Sequence, residues 1–133
     1  MKKVGSAGGQ KKKRITVIRP RDRIKDSEHG FIRGWGVLGR LTGSKNISMA
    51  YGKLRPGVKA TAHQHPYETA IYIIAGSVRV YYGTKRKVFE DVKAGDFIYI
   101  PPFVPHEPQN LGGVPMEYIV ARDCAEEIGE TVK

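Results

Sequence analysis

Short apolar runs, rich in β-branched and aromatic residues, recur along the chain between turn-forming glycines and prolines. Runs of about four to eight such residues predict β-strands. The predicted strands are residues 15–18, 35–41, 47–54, 70–75, 78–82, 88–92, 97–100 and 116–121. Helical periodicity is confined to residues 125–131 near the acidic end of the chain. Many short, closely spaced strands favour an all-β antiparallel barrel or jelly roll.

The composition fits one domain of this kind. The chain has 133 residues, 40% of them hydrophobic, with 16 glycines and 8 prolines, which suits a single turn-rich core. No apolar run approaches the ~20 residues that a membrane span requires, and no apolar stretch follows the basic start as in a signal peptide. Cys124 is the only cysteine, which excludes an intrachain disulfide. We therefore expect a cytoplasmic protein without a membrane partner.

The positive charge lies almost entirely at one end. Residues 1–25 contain ten lysines and arginines against Asp22 alone, so they carry +9 of the formal net charge of +10. Residues 1–14 also lack a hydrophobic period, which predicts a flexible basic tail ahead of a single domain at 15–133. Since no aromatic residues are interleaved for base stacking, we do not expect nucleic-acid binding.

Three of the four histidines lie in two segments framed by glycine and proline. His63 and His65 are two residues apart, so an extended strand would present both rings on one face. His106 lies between Pro105 and Pro108, whose rings stiffen the backbone that carries it. Imidazoles held in this way are candidates to bind a divalent metal. The alternative is that these three are ordinary hydrogen-bonded histidines of the core or surface. We infer that His29, which lies outside both segments, is a surface histidine.

Both segments resemble the two motifs of the cupin superfamily, in particular its small single-domain members. The first motif has the form G-x5-H-x-H-x(3 or 4)-E-x6-G, and the second has the form G-x5-P-x-G-x2-H-x3-N. Positions that match are Gly57, His63, His65 and Gly76 in the first motif, and Gly95, Pro101, His106 and Asn110 in the second. The resemblance implies a double-stranded β-helix, the jelly-roll barrel of cupins.

Two positions depart from the family pattern. The glutamate of the first motif falls on Thr69 when counted back from Gly76, and Glu68 lies one residue earlier. Neighbouring strand residues point to opposite faces, so Glu68 reaches a metal only if a bulge after Pro66 turns it inward. Phe103 replaces the glycine of the second motif, and we expect an ordinary turn there, with the ring over the barrel mouth.

The resemblance implies a metal site made of His63, His65 and His106, with Glu68 as a fourth ligand or a nearby catalytic acid or base. Such ligands suit Zn, Fe, Mn, Ni or Cu, and the sequence does not choose among them. The implied function is a metal-dependent enzyme of small-molecule metabolism, such as a dioxygenase or isomerase. A non-catalytic barrel that binds or senses a small molecule is the alternative, so enzymatic activity stays open. Cupins commonly pair, which implies a homodimer.

Overall fold

The computed structural model describes residues 13–127 and 130–132. These residues form two antiparallel sheets and very little helix, so the predicted all-β fold is confirmed. The strands are β1 (Ile24–Glu28), β2 (Phe31–Val37), β3 (Ser48–Leu54), β4 (His63–Gln64), β5 (Thr69–Ala75), β6 (Ser77–Tyr82), β7 (Val88–Lys93), β8 (Phe97–Ile100), β9 (His106–Gln109), β10 (Met116–Arg122) and β11 (Glu130–Thr131). A 3₁₀ turn (Pro20–Asp22) and helix α1 (Gly39–Thr42) complete the description.

From β3 onward the chain passes back and forth between the two sheets in the manner of a jelly roll, with β6 and β7 as consecutive strands of the same sheet. One sheet has the order β1-β2-β3-β10-β5-β8, and the other has the order β11-β4-β9-β6-β7. Every pairing between these strands is antiparallel. The two short strands that carry histidines, β4 and β9, are therefore neighbours in the smaller sheet.

The core is built from alternate residues of the central strands. Along β10 every second side chain is buried, from Met116 to Arg122, as expected for a strand with one face inward. Apolar side chains from both sheets complete the core: Trp35, Leu38, Ala50, Leu54, Ile73, Val78, Val80, Met116, Tyr118 and Val120. This alternation also directs the last inward residue of β10, Arg122, to the interior.

A glycine makes room for one large ring in this core. Gly52 of β3 pairs with Tyr118 of β10, and a Cβ built on Gly52 would lie 2.4 Å from the Tyr118 hydroxyl oxygen. No side chain fits there unless the Tyr118 ring moves.

Several predicted boundaries differ from those observed. Residues 15–18 form no strand, and Ile15 is 94% exposed. The predicted strand 35–41 divides into the end of β2 and helix α1, which ends at Gly43 in the left-handed conformation. Residues 125–127 are not helical, and Glu130–Thr131 pair as strand β11 instead of continuing a helix. The predicted tail lies mostly outside the described residues, which begin at residue 13.

In the part of the chain that the structure describes, no helix is long and apolar enough to cross a membrane.

Candidate metal centre

Two neighbouring strands bring the three motif histidines together. His63 on β4 is paired in register with His106 on β9, and His65 follows β4 on the same side as His63. Each of the three is at most 4% exposed, and one ring nitrogen from each lies within 4.8 Å of the others. The ring centroids of His63 and His106 are 4.3 Å apart.

The other ring nitrogen of each histidine has a hydrogen-bond partner. Nδ1 of His63 lies 2.6 Å from the Thr61 carbonyl oxygen, and Nδ1 of His106 lies 2.9 Å from that of Val104. A carbonyl only accepts, so the proton of both rings is on Nδ1 and the lone pair is on Nε2. Nδ1 of His65 lies 3.1 Å from the Tyr67 hydroxyl oxygen. Partners of this kind fix the orientation of metal-binding histidines.

Burial keeps the rings of His63 and His106 neutral. Together with the neighbouring His106, it lowers the pKa of His63 to about 2. Burial likewise lowers the pKa of His106, against an opposing effect of its hydrogen bond to Val104. Only neutral imidazole binds a metal. The donor set is therefore compatible with a divalent transition metal.

Glu68 is not part of this cluster. It is exposed, its backbone N–H donates to the Asp123 carboxylate, and its own carboxylate accepts a hydrogen bond of 2.7 Å from the Tyr99 hydroxyl. The next residue, Thr69, is 2% exposed and points inward. Alternation along the strand therefore directs Thr69 to the cavity and Glu68 to the outer surface, and the structure does not bring Glu68 to the histidines as a fourth ligand.

Phe103 adopts the conformation of the glycine that it replaces. Its φ is 59°, in the left-handed region, so the expectation of an ordinary turn is wrong. Its backbone N–H donates to the His65 carbonyl at 2.7 Å, and its side chain is 59% exposed. This hydrogen bond joins the two histidine segments at the turn, and Phe103 makes it while in the left-handed conformation.

His29 lies at the site, although sequence reasoning placed it on the surface. Its ring stacks on that of His63, with centroids 4.1 Å apart and planes 2° from parallel, and its side chain is 14% exposed. His29 and Gly30 both have positive φ and form the two-residue turn between β1 and β2. A two-residue hairpin turn containing glycine is the one local signal that could have placed it.

A cavity of about 40 Å³ lies between the two sheets, beside His63 and His106. Its walls are mostly apolar side chains such as Ile71, Ile73 and Val120. Polar groups line it as well: His29, Arg33, Thr69, Arg122 and Glu127. A second cavity of about 290 Å³ shares His106 and three apolar residues with the first. A few polar groups in an apolar cavity are typical of a small-molecule site.

The charged residues of the cavity form a connected network. Arg33 donates to both carboxylate oxygens of Asp26, at 2.9 and 3.0 Å, and to Glu127 at 2.7 Å. Arg122 donates to the same Glu127 oxygen at 2.6 Å. Burial alone would raise the pKa of Glu127, but the hydrogen bond to Arg33 and the charge of Arg122 lower it to about 2. The two arginines are therefore balanced by two carboxylates.

Comparisons with known proteins agree with this geometry. The family model described as "Cupin domain" matches residues 50–122, a segment that contains all three clustered histidines. An uncharacterized protein of Methanocaldococcus jannaschii, MJ1618, is 38% identical over 72 residues, which are 54% of this chain and 56% of that protein. The chain thus spans about half the length of this relative.

Two solved structures have similar folds. The polyketide cyclase RemF from Streptomyces resistomycificus superposes with a TM-score of 0.75 and 18% identity, over 90% of this chain and 87% of that one. Oxalate decarboxylase from Bacillus subtilis gives a TM-score of 0.71 and 25% identity, over 90% of this chain and 34% of that one. Both are enzymes by their names, and their likeness supports the predicted jelly-roll barrel.

Proposed function

Because the chain belongs to the cupin domain family, we propose that it is a metal-dependent enzyme of small-molecule metabolism. His63, His65 and His106 would hold a divalent transition metal: Zn, Fe, Mn, Ni or Cu. The observation that carries the proposal is three buried imidazoles whose ring nitrogens converge within 4.8 Å while each Nδ1 has an oxygen partner. When bound, the metal supplies a Lewis acid with open positions for the oxygen atoms of a substrate.

The protein's own side chains would do the rest. The apolar walls exclude water and strengthen polar contacts in the cavity. His29, which stacks on His63, limits the motion of one ligand ring. Because Glu68 faces outward, the proposal assigns it no role, and a dioxygenase- or isomerase-like reaction would depend on the groups that line the cavity. The alternative is a barrel that binds a small molecule without catalysing a reaction. A metal site of three histidines without a fourth protein ligand among the described residues favours this alternative.

Metal content of the full chain, purified without chelator, tests the metal site. We expect about one metal ion per wild-type chain, and little in His63→Ala, His65→Ala or His106→Ala. Glu68→Gln is the matched control, because the Glu68 side chain is exposed and lies outside the histidine cluster, and it should keep the metal. A wild-type protein without metal, or alanine variants that retain it, would refute the site.

Turnover then separates an enzyme from a binding barrel. Wild-type protein loaded with each candidate metal is assayed against diketones, catechols, thiols and sugar phosphates, beside His106→Ala treated in the same way. Turnover by the wild type alone supports the enzyme. Saturable binding of a compound without turnover supports the non-catalytic alternative.

Three broader features complete the proposal. Residues 15–133 would be a single domain, which the shared core of the two sheets supports. Location in the cytoplasm is supported by Cys124, which stands as a free thiol. A homodimer is supported by apolar side chains exposed on the outer face of the larger sheet, among them Met49, Tyr72, Phe97 and Tyr99. Exposed apolar area of this kind typically marks an interface.

A further inference from the structure

Two buried polar groups of the cavity have no hydrogen-bond partner. They are Nε of Arg122 and the hydroxyl oxygen of Thr69, and both side chains line the cavity beside His63 and His106. The Arg122 side chain is 8% exposed, and Thr69 is 2% exposed. Buried donors without partners are rare in folded proteins because the lost hydrogen bond to water is not replaced. A ligand that accepts hydrogen bonds would satisfy both groups.

The two groups lie side by side. Arg122 ends β10 and Thr69 begins β5, and the two residues are paired in register across the antiparallel strands. Cross-strand partners on one face have Cβ atoms about 5 Å apart. Both residues face inward, so one small group can meet both side chains at once.

The Arg122 guanidinium is held in place by its surroundings. Nη1 donates to Glu127 at 2.6 Å, and Cζ lies 5.7 Å from the ring centroids of both Trp35 and Tyr67. Tyr67 also contacts His65. Nε keeps no partner in this arrangement, and the planar guanidinium that carries it presents its donors in a geometry that fits a carboxylate.

We propose that Arg122 and Thr69 bind the carboxylate of the substrate, so that the substrate is a small carboxylic acid. The proposal rests on the proposed function, since it names the substrate class of the same site. The charges agree with it, because Asp26 and Glu127 already balance the two arginines. A bound carboxylate adds one negative charge, and a divalent cation beside three neutral imidazoles offsets it. The inner cavity of about 40 Å³ is small and mostly apolar, so a ligand that reaches both groups must be small.

Binding of pyruvate and of pyruvamide, its uncharged carboxamide, to the full chain loaded with Zn²⁺ tests this assignment. Isothermal titration or ligand-observed NMR gives both affinities. We expect pyruvate to bind at least about tenfold more tightly, as a charge-assisted hydrogen bond predicts. Equal affinities, or no saturable pyruvate binding, would overturn the proposal. Inorganic phosphate that displaces pyruvate and binds more tightly would also overturn the carboxylate class.

Variants separate this contact from direct binding of pyruvate to the metal. Thr69→Val keeps the shape and removes the hydroxyl, and should weaken pyruvate binding about fivefold; Thr69→Ser should restore it. Arg122→Lys keeps the charge and removes the fork, and should weaken binding about tenfold or more. Zinc content should equal that of wild type in all three. Pyruvate affinity unchanged in Thr69→Val and Arg122→Lys would overturn the proposal.

The same measurements distinguish failure of this proposal from failure of the proposed function. If the wild-type chain binds no zinc, the metal site is wrong, whatever the affinity for pyruvate. The preference for pyruvate over pyruvamide is therefore measured again on chelator-treated protein. If chelator-treated protein still prefers pyruvate and Thr69→Val lowers that preference, the carboxylate site is supported without the metal. If neither the zinc-loaded nor the chelator-treated protein prefers pyruvate, the carboxylate site is wrong.

Discussion

His63 and His106 face each other across the β4–β9 pair, with their ring centroids 4.3 Å apart. Strand β4 has only two residues, and its other edge pairs with β11. A metal bound by both rings would therefore link short strands that few backbone hydrogen bonds hold together. The stability of the barrel and the occupancy of the site should be coupled.

Zinc should stabilise the chelator-treated wild-type chain. A ligand that binds only the folded state at 100 times its Kd contributes about 2.7 kcal/mol, so Tm should rise by several degrees. His106→Ala removes one ligand and should show little rise. Thermal unfolding followed by circular dichroism measures both, and an equal rise in the two proteins would contradict the coupling.

Loss of the Tyr67 hydroxyl should weaken metal binding without unfolding the protein. Nδ1 of His65 lies 3.1 Å from this hydroxyl. Removing such a partner typically weakens metal binding by about 10- to 100-fold. Competition with a chelator measures the affinity in Tyr67→Phe. Tyr99→Phe is the control, since that hydroxyl donates to the exposed Glu68, and its affinity should match wild type. Equal affinities in the two variants would mean that Tyr67 does not position His65.

The motif histidines could be predicted from the sequence, whereas their polar neighbours could not. Two residues of spacing put His63 and His65 on one face, a local property of the strand. Arg122 and Thr69 meet only because β10 pairs with β5, which are distant in sequence. Asn110 matched the second motif, and the structure gives it a structural role, because its side-chain amide donates to the carbonyls of Leu54 and Val114.

The same distinction applies to the strands. Those with dense apolar runs, such as β3 and β10, were predicted nearly to their ends, because they cross the core. Strand β1 (Ile24–Glu28) was missed, since it is an edge strand with four polar residues among its five. Strands β4 and β11 have two residues each, which is too short for a periodicity. Residues 15–18 have the apolar pattern of a strand but form none, because a strand also needs a neighbouring strand to pair with.

Acid should destabilise the barrel through Glu127. Its pKa is about 2 in the folded protein against 4.5 as the ordinary value, so ionised Glu127 contributes stability above pH ~4.5 that is lost as the pH falls toward 2. The difference corresponds to about 3 kcal/mol. Glu127→Gln should be less stable than wild type at pH 7, because Arg33 and Arg122 lose their shared partner, and its stability should depend less on pH below about 5.

Urea denaturation at a series of pH values measures this effect. Glu126→Gln is the control, since Glu126 pairs with Arg40 on the surface, with side chains 41% and 59% exposed. Exposed pairs contribute about 1 kcal/mol at most, so that variant should follow the wild-type pH profile. A Glu127→Gln profile parallel to wild type would mean that the acid sensitivity arises elsewhere.

Gly52 should not tolerate even a methyl group. The added Cβ would lie 2.4 Å from the Tyr118 hydroxyl oxygen, and Tyr118 is 5% exposed and packs edge-on against Phe31. Gly52→Ala should therefore cost about 1–3 kcal/mol of unfolding free energy, as overpacking does. Gly36→Ala is the matched control, because its Cβ would meet nothing within 4 Å. Urea denaturation that gives the same stability for both variants would contradict the close approach.

Removal of one exposed ring should separate the proposed homodimer. Phe97 on β8 is 79% exposed, lies 4.9 Å from Tyr72 between ring centroids, and adjoins the exposed Tyr99. This outer face belongs to the larger sheet, so a second copy packed there would bury the rings of both chains.

Wild-type protein should have twice the 14.8 kDa mass of one chain by analytical ultracentrifugation. Phe97→Ser should lower the mass toward that of one chain, since it removes the most exposed ring of this outer face. Phe89→Ser changes a ring that is 44% exposed on β7 of the other sheet and should stay dimeric. A wild-type protein of monomer mass, or equal dissociation of the two variants, would exclude this face as the interface.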